Sequence, residues 1–408
     1  MDSGSIAWML ICSALVLLMT PGLAFFYGGL VREKNVISTM MYSFISLGVI
    51  SLVWVLWGYS LAFGDSLIKS SAGGFLGGFN NILLSGVDTP DGQVFAIFQM
   101  MFAIITPALI TGAFCERFDF KTYLIFLVLW VTLVYAPIAH WVWSDEGWLI
   151  KLGALDFAGG AVVHINAGVA AIAAAALVGK RRNIDRGVLP NNVPYVILGA
   201  SILWFGWFGF NAGSGLAADG VAVNAFLVTN TCAATGMVIW VILGMFHSGK
   251  ISGVGAATGA IAGLATITPA AGFIGVGPAI IVGIVSGIVT FYAVYFKEKV
   301  SLDDALDVFA VHGLGGMIGL LGCGIFASKA INAGLESDGL INGSADLLIN
   351  NVILIVSTFA YALIVTLVLM KILDIIPGLQ LRSSENDEDS GLDASDHGER
   401  AYVQDGAD

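Results

Sequence analysis

The sequence predicts an all-α integral membrane protein with eleven transmembrane helices, arranged as two inverted five-helix repeats plus a final helix. Hydrophobic residues make up 57% of the 408 positions and charged residues only 11%, whereas about a quarter of a soluble domain is charged. Glycine occurs 52 times and is more frequent in transmembrane helices than in soluble ones. The apolar residues also fall in long runs. This composition excludes a cytosolic enzyme, a disordered chain and a secreted disulfide scaffold.

The apolar runs define the predicted spans, because a bilayer core about 30 Å thick needs roughly 20 apolar residues per helix. The first run is expected to be a retained helix and not a signal peptide, since no Lys or Arg precedes Arg32. The spans form a transmembrane domain over residues 1–377, which an acidic tail follows at 378–408. The eleven predicted spans are 6–30, 36–62, 93–115, 122–143, 157–179, 193–214, 222–246, 252–271, 273–296, 305–327 and 350–376.

Basic residues predict the orientation, since Lys and Arg concentrate in short cytoplasmic loops. With the N-terminus outside, fourteen of the seventeen basic residues face inward, and only Lys69, Lys151 and Lys329 remain outside. An odd number of helices then places the C-terminus inside, as expected for a multi-pass protein of the plasma (inner) membrane. The net charge is −12, of which the stretch 382–408 contributes −7. Nothing in this distribution favours binding to nucleic acid.

Two similar strings indicate an internal repeat. DFAGGAVVHINAG carries Asp156 and His164, and DDALDVFAVHGLGG carries Asp304 and His312, with the same eight-residue separation. One span enters from outside and the other from inside, so the halves would be related by an axis in the membrane plane. Inverted repeats of this kind place the substrate site at their interface near mid-depth.

Two of the five histidines therefore lie at matched positions inside membrane helices. At about 1.5 Å per residue, His164 and His312 each lie roughly 12 Å from opposite faces, close to mid-depth. Neutral imidazoles side by side can hydrogen-bond to each other and still offer an N–H or a lone pair to a small solute. The alternative is two separate core histidines, each bonded to a backbone carbonyl. The matched positions favour a pore.

Aromatic residues are expected at matching depths near the outer face. Phe98 and Phe102 lie one turn apart on the third span, and Trp143 ends the fourth. An aromatic vestibule with one hydroxyl suits a small cation, and paired phenylalanines below it form a dry constriction that resists ions. The alternative is a belt of aromatic residues facing lipid. One helical stripe of the sixth span contributes Trp207, Phe210 and Ser214.

The remaining polar candidates have structural alternatives. Asp156 can act on a cation through its charge, or it can cap its helix, and Asp304 and Asp307 are expected to cap the tenth span. Cys12, Cys115, Cys232 and Cys323 lie in apolar stretches and are expected to be unpaired core residues. The sequence has no phosphate-binding loop, no nucleophile elbow and no cluster with metal-ligand spacing. We therefore expect neither an enzyme nor an ATP-driven pump, and no metal or other cofactor.

Several separated strings resemble, in order, the signatures of the ammonium transporter family (Amt/Mep/Rh), and most closely its microbial Amt branch. The resemblance covers nearly the whole chain. The strings are FYGGLVREKN, FQMMFAIITPALITGAFCERF, APIAHWVW, DFAGGAVVHINAG, WFGFNAGS, TPAAGFIGVG, DVFAVHGLGG and GLDASDHGERAY.

The resemblance implies a role for each candidate residue. It implies an outer ammonium site at Trp143, Ser214 and Phe102, with Phe98 nearby, and a gate of Phe102 and Phe210. It implies a pore with the twin histidines His164 and His312 and the tryptophan Trp207. It also matches Asp156 to the family's important aspartate and Thr268 to its vestibule threonine. Similar proteins are homotrimers, and in many of them a cytoplasmic PII-type signalling protein binds the inner mouth.

The expected mechanism is that ammonium binds in the vestibule and is deprotonated near the gate, and that ammonia then crosses an apolar pore. The family resemblance favours net transfer of charge. Two other functions remain open. One is a channel for a neutral gas or small solute, which would give flux without current. The other is an ammonium sensor with little transport, although the tail of about 30 residues is too short for a catalytic output domain.

Overall fold

The computed structural model describes residues 1–297, 299–300 and 302–402, and the last six residues of the predicted tail, 403–408, lie outside the described part. The chain is a bundle of long apolar helices. Ten helices are long and apolar enough to cross a membrane. They are α1 (Ser3–Leu30), α2 (Glu33–Phe63), α3 (Pro90–Phe114), α4 (Phe120–Trp143), α5 (Gly160–Val178), α6 (Val193–Gly213), α7 (Gly220–Ser248), α9 (Val276–Lys297), α10 (Phe309–Phe326) and α11 (Asp346–Ile375).

The predicted eighth span, 252–271, forms a shorter helix, α8 (Gly253–Ile267), of 15 residues. The helix ends early because Pro269 has no N–H to continue it. The chain instead turns, with the N–H of Ala270 donating to the carbonyl of Ile267 at 2.9 Å. The prediction of twenty apolar helical residues was therefore wrong for this span, and the count of eleven crossings stays a prediction.

Burial separates central from peripheral helices. In α3, 89% of the most apolar window is buried, against 28% in α11. The peripheral helices expose large apolar side chains, including Phe205 of α6 and Ile364 of α11. An apolar exterior around a buried centre is what a bilayer requires, because lipid solvates these side chains. The structure thus agrees with a multi-pass membrane protein.

On the side that carries the tail, which the orientation predicted from the basic residues makes the inner side, an ionic network joins the ends of α3 and α5 to the chain before α10. The carboxylate of Asp303 accepts from the guanidinium of Arg181 at 2.8 Å, and Glu116 pairs with the same arginine at 3.4 Å. Arg117 is fully buried and donates to the carbonyl of Asp303 at 2.7 Å. Each buried charge has an opposite charge or carbonyls beside it, as burial of ions requires.

Short elements complete the two faces. On the outer side a β-hairpin, β1 (Ser66–Ser70) paired antiparallel with β2 (Gly73–Gly77), covers the end of α4. On the inner side the tail forms a short helix, Glu385–Ser390, and a π-helical turn, Asp393–His397. The turn packs against α2, where the backbone N–H of Ser38 donates to Asp393 at 2.8 Å.

Candidate functional site

Four aromatic rings converge where α3, α4 and α6 meet near the outer side. The Phe102 ring lies 4.9 Å from that of Phe98, 5.6 Å from that of Trp143 and 4.4 Å from that of Phe210, between ring centroids. Phe98, Phe102 and Phe210 are buried, whereas Trp143 is partly exposed. The rings predicted from separate spans therefore come together. The partly exposed Trp143 and the buried Phe210, whose ring is tilted by 45° to that of Phe102, both contact Phe102.

Ser214 ends α6 beside this cluster. Its hydroxyl donates to the carbonyl of Phe210 at 2.9 Å, so its oxygen lone pairs remain available to accept a hydrogen bond. The preceding residue, Gly213, brings α6 close to α3: a Cβ at this position would lie 2.9 Å from the Phe98 ring. Glycine is needed there for the helices to approach.

The two histidines are in contact at the centre of the bundle. The Nδ1 atoms of His164 and His312 lie 3.2 Å apart, and the rings are stacked at 18° with centroids 5.2 Å apart. One Nδ1 must donate and the other accept, so two neutral rings must be different tautomers. One Nε2 then carries a hydrogen and the other a lone pair. The pair can thus offer both a donor and an acceptor to a small solute.

Aromatic rings continue from the cluster to the histidines. Trp207 and Phe210 stack on His164 with centroids 5.5 and 5.9 Å away. Apolar side chains of α1, α3 and α6 line the rest of this stretch, which encloses a cavity of only about 10 Å³. Such a volume has room for about one water molecule at most, so the stretch is narrow, and its lining is mainly apolar. Beyond His312 the pathway opens into an inner cavity of about 500 Å³.

Asp156 caps the histidine-bearing helix α5. Its carboxylate accepts from the N–H groups of Gly159, Gly160, Ala161 and Val162 at 2.6–3.2 Å. Gly159 has a φ of +114°, which disfavours any side chain there. The carbonyl of Asp156 also accepts from the indole of Trp143 at 2.9 Å. The predicted cap is present, and it connects Trp143 to the helix of His164.

Thr268 lies behind Trp207, at the end of α8. The indole N–H of Trp207 donates to the Thr268 hydroxyl at 2.9 Å, and that hydroxyl donates to the carbonyl of Leu264 at 2.8 Å. The hydroxyl therefore fixes the tryptophan ring that stacks on His164. Sequence reasoning alone gave no contact for this threonine.

Asp304 caps α10 on the inner side, as predicted, whereas the carboxylate of Asp307, the other predicted cap, pairs with Lys297 instead. Its carboxylate accepts from the N–H groups of Val308 and Phe309 at 3.1 and 2.8 Å. The ammonium of Lys297, the last residue of α9, donates to the Asp304 carbonyl at 2.6 Å and pairs with Asp307. Lys297 was not among the predicted site residues. The repeat of Asp156 and Asp304 could have directed attention to this end.

Both histidine segments are locally π-helical, over Gly160–Ile165 and Phe309–Gly313, a feature common at functional sites. The other three histidines lie elsewhere. His140 is bonded to Ala62 and Ser66 at the outer side, and His397 packs on Phe120 in the tail. His247 lies one residue beyond the predicted span 222–246, which would place it in a loop, but it belongs to the last turn of α7.

Comparison with known proteins points to one family. Residues 7–402 match the family model of the Ammonium Transporter Family. The chain is 47% identical to ammonium transporter Amt1 of Archaeoglobus fulgidus, over 99% of this chain and 100% of that protein. It is also 47% identical to the ammonium transporter of Bacillus subtilis, over 98% and 99% of the two chains.

Solved structures agree with these sequence relatives. Saccharomyces cerevisiae Mep2 superposes with a TM-score of 0.89 at 36% identity, covering 95% of this chain and 90% of that one. A protein described as a sensor Amt protein superposes with a TM-score of 0.87 at 29% identity, covering 97% and 98% of the two chains.

Proposed function

The chain belongs to the ammonium transporter family, a family of transporters and not of enzymes, and on that premise we propose how it carries ammonium through the pathway described above. Ammonium binds between Trp143, Phe102 and the Ser214 oxygen, with Phe98 beside them. It loses its proton at the Phe102–Phe210 gate, and this proton crosses to the inner side separately from ammonia, which accounts for the net transfer of charge. Ammonia then passes Trp207, His164 and His312 to the inner cavity, with net transfer of charge.

The observation that carries this proposal is the contact between His164 and His312 inside a dry aromatic passage. Ring faces attract a cation, and the Ser214 oxygen offers an acceptor to replace a lost water. The paired rings of Phe102 and Phe210 leave no polar group for an ion crossing the constriction. An uncompensated charge in apolar surroundings costs several kcal/mol or more. Neutral ammonia avoids that cost and can hydrogen-bond to the histidine pair.

Asp156 and Thr268 hold parts of this pathway in place through hydrogen bonds. Asp156 holds α5 through four backbone hydrogen bonds and places a negative charge on the outer side of His164. Thr268 orients Trp207. Their proposed roles are positioning and, for Asp156, electrostatic attraction of the cation.

The proposed setting is the plasma membrane, with residues 1–377 forming eleven membrane-crossing helices. The N-terminus is outside and the acidic tail, 378–408, is inside. The proposed assembly is a homotrimer, and a PII-type signalling protein is the proposed cytoplasmic partner at the inner face. The family match and the family's usual organisation support these proposals.

The experiment is a current recording from proteoliposomes after an ammonium pulse. Wild-type protein should give an inward current, and His164→Ala and His312→Ala should each reduce it at least about tenfold, because each leaves the other ring without its partner in a dry passage. Flux without current would favour the neutral channel instead. Ammonium binding with neither current nor flux would favour a sensor, the function in the description of one structural neighbour. Wild-type current in both variants would contradict the role of the pair.

A further inference from the structure

The two helix caps differ in the charge beside them. Asp156 is held by backbone N–H groups alone, and within the described residues no basic side chain forms an ion pair with it. On the inner side, Lys297 donates to the Asp304 carbonyl at 2.6 Å and pairs with Asp307. Within the described residues the outer cap therefore has no cation paired with it, whereas the inner cap has Lys297 next to it.

Lys297 lies where the pathway leaves the protein. Lys297, Asp307 and His312 all line the inner cavity of about 500 Å³. Asp307 precedes His312 by five residues, and its φ of +62° turns the chain into α10. The ion pair is thus part of the wall that a solute meets directly after the histidines.

The other charges around the cavity do not replace Lys297. Arg181 forms its close contacts with Asp303, at 2.8 Å, and with Glu116, at 3.4 Å. Lys180 and Asp185 also line the cavity, but neither forms an ion pair with Asp307 in the described part of the chain. The charge of Asp307 is compensated by Lys297.

We propose that Lys297 makes cation binding weaker at the inner mouth than at the outer mouth, because it neutralises the carboxylate at the inner mouth. An uncompensated carboxylate attracts ammonium to the outer mouth at Asp156. A compensated carboxylate at Asp307 does not hold the ion where it is released. Lys297 therefore determines how strongly the exit of the pathway retains the cation. This inference rests on the proposed function, since it concerns release from the same pathway.

The consequence is kinetic. Without Lys297, the carboxylates of Asp304 and Asp307 would retain a re-formed ammonium ion near His312, and transport would be inhibited by internal ammonium. One unit charge at partly buried separations of several ångströms changes cation occupancy by about tenfold or more. An internal pH of about 8 favours the ionised form of the Asp307 carboxyl during the test, since the ordinary pKa of an aspartate is about 4.

The test measures the internal ammonium concentration that halves the initial inward current at fixed external ammonium. The proteoliposomes hold the protein with its tail inside, verified by protection of a C-terminal tag from protease. The chain offers four matched variants: Lys297→Met, Lys297→Arg, Asp307→Asn and the double variant Lys297→Met/Asp307→Asn. Thermal melting and elution volume verify that each is folded.

Lys297→Met should lower the half-inhibiting concentration about tenfold, while Lys297→Arg should leave it at the wild-type value. The double variant should return toward wild type, because it removes both charges. Asp307→Asn should raise the concentration, and it tests the inference independently if Lys297→Met does not fold.

Unchanged inhibition in Lys297→Met and Asp307→Asn, or a double variant as sensitive as Lys297→Met, would overturn the inference. A loss of maximal current in all four variants, with no change in sensitivity, would assign the pair a structural role and overturn it too. Absence of current in wild-type protein would instead contradict the proposed function.

Discussion

The two histidine-bearing helices, α5 and α10, repeat the same plan in opposite directions, yet their ends are built differently. The carboxylate that begins α5 accepts four backbone hydrogen bonds, whereas the one that begins α10 accepts two and has Lys297 beside it. The aromatic cluster of α3, α4 and α6 also lies next to the histidine of α5, while the histidine of α10 lines a wide cavity. The comparison shows that two repeats can keep the same histidine positions while the charges at the two mouths of the pathway differ.

The largest expected effect is a loss of stability when either helix cap is removed. Asp156→Ala leaves four buried N–H groups without an acceptor and Asp304→Ala leaves two. Each unsatisfied buried group costs about 1–3 kcal/mol, so Asp156→Ala should destabilise the protein by several kcal/mol and Asp304→Ala by about half as much. Thermal melting in detergent measures both. An equal or larger loss in Asp304→Ala would contradict the difference between the ends.

The next variant removes the aromatic constriction, which belongs to the outer half of the pathway. Phe210→Ala deletes the ring that lies on both Phe102 and His164, and water can then enter the gate. Potassium current should rise at least about tenfold above wild type, because a hydrated passage no longer imposes the desolvation cost. Phe309→Ala, in the inner half at the start of α10, is the matched control and should not raise it. Absence of a potassium current in Phe210→Ala would contradict the proposed role of the phenylalanine pair as a gate.

A smaller effect is expected where the outer half supports its pore tryptophan. Thr268→Val keeps the shape but removes the acceptor of the Trp207 N–H, so the ring loses its fixed orientation beside His164. Ammonium current should fall severalfold. Thr266→Val is the control, because Thr266 bonds to Ser286 and Ala262 and not to the pore. An equal fall in both variants would indicate a general packing effect.

The smallest effect concerns the tail, which contacts only the inner ends. Burial and repulsion from Asp119 raise the pKa of Asp396 to about 6. A carboxyl with a raised pKa favours the docked tail when protonated, so its contribution is full at acid pH and is lost as the pH rises through about 6. Burial lowers the pKa of the neighbouring His397, whose protonation therefore acts in the opposite direction.

Asp396→Asn isolates the carboxyl from that histidine. At pH 7.5 the variant tail should exchange its amide hydrogens severalfold more slowly than the wild-type tail, and the difference should shrink at pH 5 and close only below the ordinary aspartate pKa of 3.8. Hydrogen exchange of residues 385–397 measures this. Faster exchange in the variant at pH 7.5 would show that the charge of Asp396 supports docking.

The sequence was sufficient to predict the features that a repeat or a helical period encodes. The matched positions of Asp156 and Asp304 predicted two caps, and both form the expected backbone hydrogen bonds. The stripe of Trp207, Phe210 and Ser214 predicted a shared face of α6, and Phe210 on that face does meet Phe102 of α3. Such features depend on neighbours within one element, which periodicity describes.

Features that depend on contacts between distant segments were not predictable. The pairing of Lys297 with Asp307 requires the end of α9 to meet the turn before α10, and no spacing within either segment reports that distance. The contact between Trp207 and Thr268 likewise depends on where α8 ends, and composition suggested a longer helix there. The positions of the tail on Ser38 and Phe120 are tertiary contacts of the same kind.

The central claim is that a dry passage with two histidines conducts a molecule that can release its proton and rejects an ion that cannot. The most direct test applies equal inward gradients of ammonium and potassium, in turn, to wild-type proteoliposomes and compares the initial currents. The account predicts a robust ammonium current and a potassium current no greater than that of protein-free vesicles. A potassium current comparable to the ammonium current would contradict it.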